Sequence, residues 1–484
     1  MNASQPDLHH WRVLSDAEIE RIREAALRVL HEGGFRIVSP PILDRLEALG
    51  LRVDRATSAV FPTPGQMAQV EETARRRVAQ QPPADEHLLR RPLPAGERVG
   101  HNYTCYYDWT EGLRRPAGLA DIRKVVRAWH MLPEIAQTGP CMTAQDVPPP
   151  IEPIVSTVET MKLTDKIRTC PELMLASQLP YLEELETIMS GQQVRYHTNG
   201  CSVNHFTLDE RAAGCLLAVA GNGLQGWWVN SCPVAGANAP VTLAGGVTVG
   251  VAETLGGWLA GWALNQDVAL WAIPLAGVLD MRTTRVMFST PETILIDSAL
   301  YQFFYRLYGI RIGLCIGYTD AKVPGMQAMN DKLLKALAYG LFTDQIGGQS
   351  GTLEAGNTYS PTQQIIDLEL NRQVAQLAKG IDVSDEMLAL DDIIDFAPDD
   401  TQSFLLKGHT LRHWRDALWM PLLMDRTAFG TASEERDREW EILQRAEARW
   451  RDALALYVQP DLDERKLAEA DEVLASASNA LLGD

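Results

Sequence analysis

The sequence predicts an α/β protein built around a TIM-type (β/α)8 barrel, residues 96–380, between a helical N-terminal extension, residues 1–95, and a helical C-terminal extension, residues 381–484. Three observations predict it. From about residue 101 short apolar runs alternate with amphipathic stretches of helix length. The runs are apolar throughout, as parallel strands covered on both faces by helices must be. A length of 484 residues also accommodates a barrel of roughly 250 residues with room for extensions.

Taken in order, Ser15 can cap a helix in which Ile19, Ile22, Ala26, Val29 and Leu30 recur at helical spacing, and residues 62–80 repeat the pattern. Between them residues 35–38 form a short apolar piece fit for a strand. A Pro-rich linker, residues 91–96, leads into the next unit. Candidate strands follow at residues 135–143, 173–179, 194–204, 224–234, 268–278, 310–318 and 341–346. Their starts lie roughly 20 to 45 residues apart, the length of a strand with its crossover helix, and Thr207, Thr290 and Pro324 are suitable helix starts. An eighth strand is not evident, so an open doubly wound sheet stands as the alternative; no GxGxxG follows any run, which counts against a dinucleotide fold. Past residue 379 the chain is helical again, with an apolar stripe at Trp440, Leu443, Ala446, Trp450, Leu454 and Tyr457 and an acidic amphipathic tail.

Composition excludes several functions. With 44 basic and 63 acidic residues the net charge is −19, which repels nucleic acid and anionic lipid. No secretory leader opens the chain, and the cytoplasm is the expected compartment. Residues 240–265 carry little charge, but Glu253 near their centre would be costly in a bilayer, so a buried helix is expected rather than a membrane span. Seven scattered cysteines without a CxxC pair fit reduced, mostly core thiols and offer no metal-ligand cluster.

In a parallel barrel, chemistry lies at the C-terminal ends of the strands. There the sequence places Gln145 and Asp146, Asn204 and His205, Trp227, Trp228 and Asn230, Asp280 and Arg282, Tyr318 and Asp320, and Glu354. Several strings resemble the MttB family of methyltransferases. They are Tyr106-Tyr107-Asp108 with Arg114-Arg115-Pro116-Ala117, Gln145-Asp146-Val147-Pro148, residues 235–245 (AGANAPVTLAG), Asp280-Met281-Arg282-Thr283, residues 319–324 (TDAKVP) with Gln327, and residues 408–413 (GHTLRH). They run in the family's order from about residue 14 to 426. The resemblance implies a TIM barrel that transfers a methyl group from a methylated amine to the Co(I) of a separate corrinoid-binding protein. The archaeal trimethylamine enzymes of the family carry pyrrolysine; this chain has standard residues only. It is therefore similar to the non-pyrrolysine branch typified by glycine betaine methyltransferase. Ser202-Val203-Asn204-His205, where the family leads one to expect a Pro-containing strand end, implies a different choice of substrate. The corrinoid-binding motif Asp-x-His-x-x-Gly is absent, so the corrinoid is expected on the partner and no cofactor bound tightly by this chain.

Elementary chemistry agrees with that reading. A quaternary ammonium loses a methyl group to give a neutral amine, so neither a metal nor leaving-group protonation is required, and the tasks are positioning and electrostatics. Such a cation is best held by aromatic faces. Tyr106, Tyr107, Trp227, Trp228 and Tyr318 are the candidates; Trp227 and Trp228 alternate along a strand, so at most one faces inward, and Trp271 reads as core. Arg282 and Arg412 suit a betaine carboxylate. Asp280, Glu354 and Asp320 could offset the cation, Asn204, His205 and Asn230 supply polar contacts, and His409 shares a helix face with His413. Asp320 and His413 are the candidate catalytic acids if the substrate is instead trimethylamine or another tertiary amine. A non-catalytic barrel binding methylammonium osmolytes, a lyase or isomerase of small acids, and self-association through the helical ends stay open.

Overall fold

A computed structural model describes residues 11–78, 97–99, 103–195, 198–203, 205–343, 345–348, 350–396, 403–427 and 438–483. The molecule is mixed α/β, with parallel strands side by side and helices packed over them. Glu97–Val99 lies parallel to Ile135–Thr138, and the Thr138 amide bonds the Lys166 carbonyl at 3.2 Å, which continues the order to the next segment. Thr198–Val203, Gly226–Asn230 and Ala269–Ala272 form a second parallel ladder, and the Gly313 amide reaches the Ala272 carbonyl at 3.3 Å. Among the described residues these ladders do not join into one closed ring.

The strand at Glu97–Val99 escapes a sequence reading because it is short, carries two charges and follows a Pro-rich stretch. Residues 173–179, expected as a strand, hold a 3-10 turn at Ala176–Gln178 and the start of the helix Leu179–Ser190. Residues 341–342 belong to the helix Met326–Phe342. Residues 310–315 run without regular secondary structure and residues 316–317 turn, although residue 313 still bonds the neighbouring strand.

The N-terminal extension is more than helical. Besides Asp16–Glu32, Pro40–Ala48 and Pro64–Val78 it holds the strands Phe35–Ile37, Arg52–Asp54 and Ala59–Phe61, which join the main sheet where Phe35–Ile37 pairs with Thr207–Leu208. Ser15 caps Asp16–Glu32 in a full capping box with Glu18. That helix packs on Leu243–Leu264, the most apolar helix of the fold. By length and composition Leu243–Leu264 would cross a membrane, yet it is enclosed by protein, and Glu253 at its middle is 2% exposed. Near the C-terminus, Arg438–Ala455 buries Ala446, Trp450 and Ala453 against Leu119–Met131 and Pro361–Ala378, while Glu464–Leu482 packs on Glu152–Met161 and Leu179–Ser190.

One buried ion pair fastens two of the outer helices. Lys332 Nζ, on Met326–Phe342, donates to Asp367 on Pro361–Ala378, and Asp367 also accepts from the Gly351 amide at 2.7 Å and from Gln363 Nε2 at 2.8 Å. The carboxylate thus fixes the loop before Thr352–Leu353, next to Tyr103, whose hydroxyl meets Thr352 Oγ1 at 2.5 Å.

Candidate functional site

The strand Gly226–Asn230 sends successive side chains to opposite faces, and this decides the fate of its two tryptophans. Trp227 points toward the helix layer. It is 0% exposed and donates Nε1–H to the Gly257 carbonyl at 2.9 Å; an added Cβ at Gly261 would lie 2.5 Å from its ring, so the glycines make the slot. Trp228 points to the other face, in register with Trp271 of Ala269–Ala272, and the two rings stack at 6.2 Å with 13° between planes. Asn230, two residues on, shares that face. Its Nδ2 donates to Cys201 Sγ at 3.7 Å, and its Oδ1 is buried with no hydrogen-bond partner among the described residues.

Tyr318 closes the next run. Its ring lies 6.0 Å from Phe288 and against Gly356, whose φ of +90° and lack of a side chain leave the space the ring fills. Burial pushes its hydroxyl pKa up strongly, and its titratable neighbours Cys315, Tyr103, Cys232 and Glu172 add to the rise. Those neighbours map a common interior. Burial raises the pKa values of Glu172 and Cys201, and the Glu172 carboxylate acts on the Cys201 thiol and the Tyr318 hydroxyl alike. Arg211 lowers both again, and one of its guanidinium nitrogens donates to the Met174 carbonyl at 3.2 Å. Cys201, bonded by Asn230 on the strand face that carries Trp228, thus links the stacked indoles to the phenol of Tyr318, the carboxylate of Glu172 and the guanidinium of Arg211.

Comparison with known proteins is decisive at the level of family. Residues 3–479 match the model of the trimethylamine methyltransferase family. The chain belongs to the MTTB family. It is a methyltransferase. Similar relatives include glycine betaine methyltransferase of Desulfitobacterium hafniense strain Y51, 24% identical over 471 residues covering 94% of this chain and 95% of the relative. Trimethylamine methyltransferase MttB of Methanosarcina barkeri strain Fusaro is 24% identical over 443 residues, 85% of each chain, and MttB of D. hafniense strain DCB-2 is 21% identical over 420 residues, 83% of this chain and 81% of the relative.

Within this MTTB chain the remaining candidates fall into distinct places. Tyr107 packs with Ala321, Ala328 and Leu353, so the Tyr107, Asp320 and Glu354 segments do come together; the Glu354 amide bonds the Ala321 carbonyl at 2.7 Å. Glu354 itself is engaged by Arg114 Nε and by Thr358 Oγ1 at 2.7 Å. Asp320 anchors a loop: its two carboxylate oxygens accept the backbone amides of Phe288 and Ser289, each at 2.8 Å. Its pKa is nonetheless raised, by burial.

Tyr106 lies elsewhere. It is wholly buried on the side opposite Tyr107, with Lys124 Nζ 4.8 Å and the Arg115 guanidinium 5.0 Å from its ring centre, so the chain's own cations occupy it. Trp227 leaves the set for the reason given above. Asp280 and Arg282 form a turn after Gly277–Asp280, where Asp280 Oδ1 accepts the Arg282 amide at 2.8 Å and the Arg282 side chain is 89% exposed. His409, Arg412 and His413 lie on the exposed helix Gly408–Ala417; His409 Nε2 meets the Glu386 carbonyl at 2.8 Å and His413 Nε2 the Glu386 carboxylate at 3.2 Å, not the Trp228 group. His205 is exposed in a left-handed conformation with φ of 57°. Asn204 lies outside the described residues.

Glu172, Arg211 and Cys232 are the functional candidates that sequence reasoning missed, and Trp271 was assigned to the core. Reading a strand from residue 173 put Glu172 before a strand; with the preceding segment bonded at Lys166, it stands at the segment's C-terminal end instead. Among the described residues no three His, Cys, Asp or Glu side chains gather into a metal-binding group.

Proposed function

We propose that this methyltransferase takes a methyl group from a quaternary amine, glycine betaine or a related betaine, and delivers it to a corrinoid carried by a separate protein. The observation that carries the proposal is the stacked pair Trp228 and Trp271 on the strand face of Asn230 and Cys201, on which Tyr318 and Glu172 converge; we read this group as lining one recess. The residues fit the ligand. Each ring presented to the ammonium contributes about 0.5 to 2 kcal/mol, and a carboxylate about 5 Å from the nitrogen adds on the order of 3 kcal/mol at an effective dielectric near 20, before desolvation. Arg211 at the recess edge suits the betaine carboxylate through a paired guanidinium contact. The parallel order of the strands supports closure into a (β/α)8 barrel whose mouth is this recess.

Within that site the chain's residues hold and orient. The indole faces and Tyr318 fix the trimethylammonium head with one methyl group directed outward, Glu172 balances its charge, and Arg211 fixes the other end. A corrinoid brought by the partner in its cobalt(I) state would supply the electron pair that accepts the methyl group. The nitrogen keeps the electrons of the broken C–N bond and leaves as the neutral tertiary amine of dimethylglycine, so no side chain has to donate a proton. That suits a site in which Asp320 is already committed to two amides. Seven free cysteines support a reducing, cytoplasmic setting.

The test is direct. The full-length chain is mixed with glycine betaine and a corrinoid protein reduced to cobalt(I), and dimethylglycine is followed by mass spectrometry alongside the loss of cobalt(I) absorbance. Production of dimethylglycine that depends on both components is expected. Binding of the betaine with no turnover beside any reduced corrinoid protein would favour a sensor; turnover without corrinoid would favour the lyase or isomerase.

A further inference from the structure

We infer that Phe288 is a further aromatic contact for the substrate, held in place by two buried charged groups, Asp320 and Lys335, which serve as positioning residues. The inference rests on reading Trp228, Tyr318 and Glu172 as one amine-binding recess. The hairpin of Gly277–Asp280 and Arg285–Met287 pairs Val278 with Met287, and Phe288 is the next residue of the chain. Side chains alternate along extended backbone, so Val286 and Phe288 share a face. Gly277 lies against both: an added Cβ there would meet Val286 Cγ1 at 2.9 Å and Phe288 Cε1 at 3.2 Å. The missing side chain at residue 277 thus makes the shelf on which the Phe288 ring rests. The ring also meets Tyr318, with centroids 6.0 Å apart and 64° between planes.

The backbone of Phe288 is held in an unusual way. Its amide donates to Asp320 Oδ1 at 2.8 Å, and its carbonyl accepts from Lys335 Nζ at 3.0 Å. The same two side chains fasten the segment that carries the neighbouring ring. Asp320 Oδ2 takes the Ser289 amide at 2.8 Å, Ser289 Oγ donates to the Tyr318 carbonyl at 2.9 Å, and Lys335 Nζ donates to the Cys315 carbonyl at 2.9 Å. Asp320 is 4% exposed and Lys335 0%, so two charged groups are taken out of water to tie residues 288–289 to residues 315–320. The Lys335 ammonium stands 5.9 Å from the Tyr318 ring centre, and the carboxylates of Asp297 and Asp320 offset its charge. A core ring is fixed by packing alone, whereas Phe288 stays partly exposed on this rigid backing. That is the arrangement of a binding side chain with its supporting shell. Two rings meeting at 64° make a corner that seats a tetrahedral ammonium against both, and cation–π attraction favours a permanent positive charge over a neutral group of the same shape. The ligand class that fits is a trimethylammonium head.

The test is calorimetric titration of the full chain with glycine betaine and with its carbon isostere 3,3-dimethylbutyrate, beside thermal unfolding of each variant. Phe288→Leu keeps an apolar side chain and removes the ring; it should weaken glycine betaine about 5-fold or more and the isostere by less than about 2-fold, while Phe288→Tyr should stay within about 2-fold of wild type for both. Asp320→Asn keeps one amide acceptor and loses the other. It should weaken glycine betaine in the wild-type chain and add little to the loss already caused by Phe288→Leu, the non-additivity of residues that act through one another. Should Asp320→Asn fail to fold, the two Phe288 variants decide alone. Unchanged affinity for glycine betaine in Phe288→Leu, or equal losses for both ligands, would overturn the inference, and the recess reading would survive if Trp228→Ala still separates the two ligands. A wild-type chain that does not bind glycine betaine removes the recess reading and this inference together. Loss of kcat in Asp320→Asn with affinity intact would make Asp320 an acid and overturn its positioning role.

Discussion

Trp228 and Trp227 are adjacent in sequence and opposite in consequence, and replacing each in turn separates recognition from folding. Trp228 stacks on Trp271 at 6.2 Å and, in the proposed site, presents its ring to the ammonium. Trp228→Ala should cost about 1 to 2 kcal/mol of affinity for a quaternary amine, a 5- to 30-fold rise in Kd, with a further ~0.5 to 1.5 kcal/mol of stability from the lost ring pair. Trp227 is enclosed between its strand and Leu243–Leu264, so Trp227→Ala should cost about 3 to 5 kcal/mol of stability while the molecules that remain folded bind the amine normally. The assay is calorimetric titration with glycine betaine and with 3,3-dimethylbutyrate, an isostere in which carbon replaces the charged nitrogen, beside thermal unfolding of each variant. Loss of Trp228 should weaken the cation far more than the neutral isostere. Equal losses for both ligands, or an unchanged Kd for the cation, would refute the aromatic recognition argued here.

Four further outcomes follow from the same geometry. Glu172→Gln should lower affinity for the ammonium by about 10-fold or more, on the order of 1.5 to 3 kcal/mol. Because burial raises the Glu172 pKa, wild-type affinity should fall as pH drops through that raised value and the variant's profile should be flatter, as read by titration across pH. Arg211→Ala should raise KM for glycine betaine while leaving that for a quaternary amine without a carboxylate nearly unchanged, as steady-state kinetics on the two substrates would show. Burial lifts the Glu253 pKa from 4.5 to about 7, so the folded chain binds the extra proton between those values and stability should decline by up to ~3 kcal/mol as pH rises from about 4.5 to about 7; Glu253→Gln should remove that slope in chemical denaturation. Lys332→Met leaves Asp367 charged and buried without its cation and should cost about 3 to 5 kcal/mol, measured by the same denaturation.

What the sequence made legible was periodic, and what it hid was convergent. Alternation along residues 226–230 established that at most one of the two tryptophans could face inward, but which one depends on Gly257 and Gly261, thirty residues away, opening a slot on the outer face. The buried nature of residues 243–264 was readable from Glu253 amid small residues, and the family from ordered strings along most of the chain. Polar residues were harder, because a carboxylate or guanidinium reads the same whether it faces a ligand or its own chain. Asp320 stands at a run's end as expected, but its oxygens meet the amides of Phe288 and Ser289 from another loop. Tyr106 is an aromatic ring beside cations as expected, but the cations are Arg115 and Lys124.

The same logic explains why Glu172 was hidden. Nothing in Cys170-Pro171-Glu172-Leu173 distinguishes it from a loop carboxylate, and its importance arises only where Tyr318, Cys201 and Arg211, carried by separate segments, converge on it. A catalyst for quaternary amines needs little more than this convergence. In the proposed reaction the product leaves as a neutral amine and asks for no acid, so activity would rest on where rings and charges are aimed, and that is fixed by strand register and by the glycines that let each ring settle. Substitutions that shift register between Gly226–Asn230 and Ala269–Ala272 should therefore abolish turnover even when every recess residue is retained, because a slip of one residue would send Trp228 to the face that Trp227 now occupies.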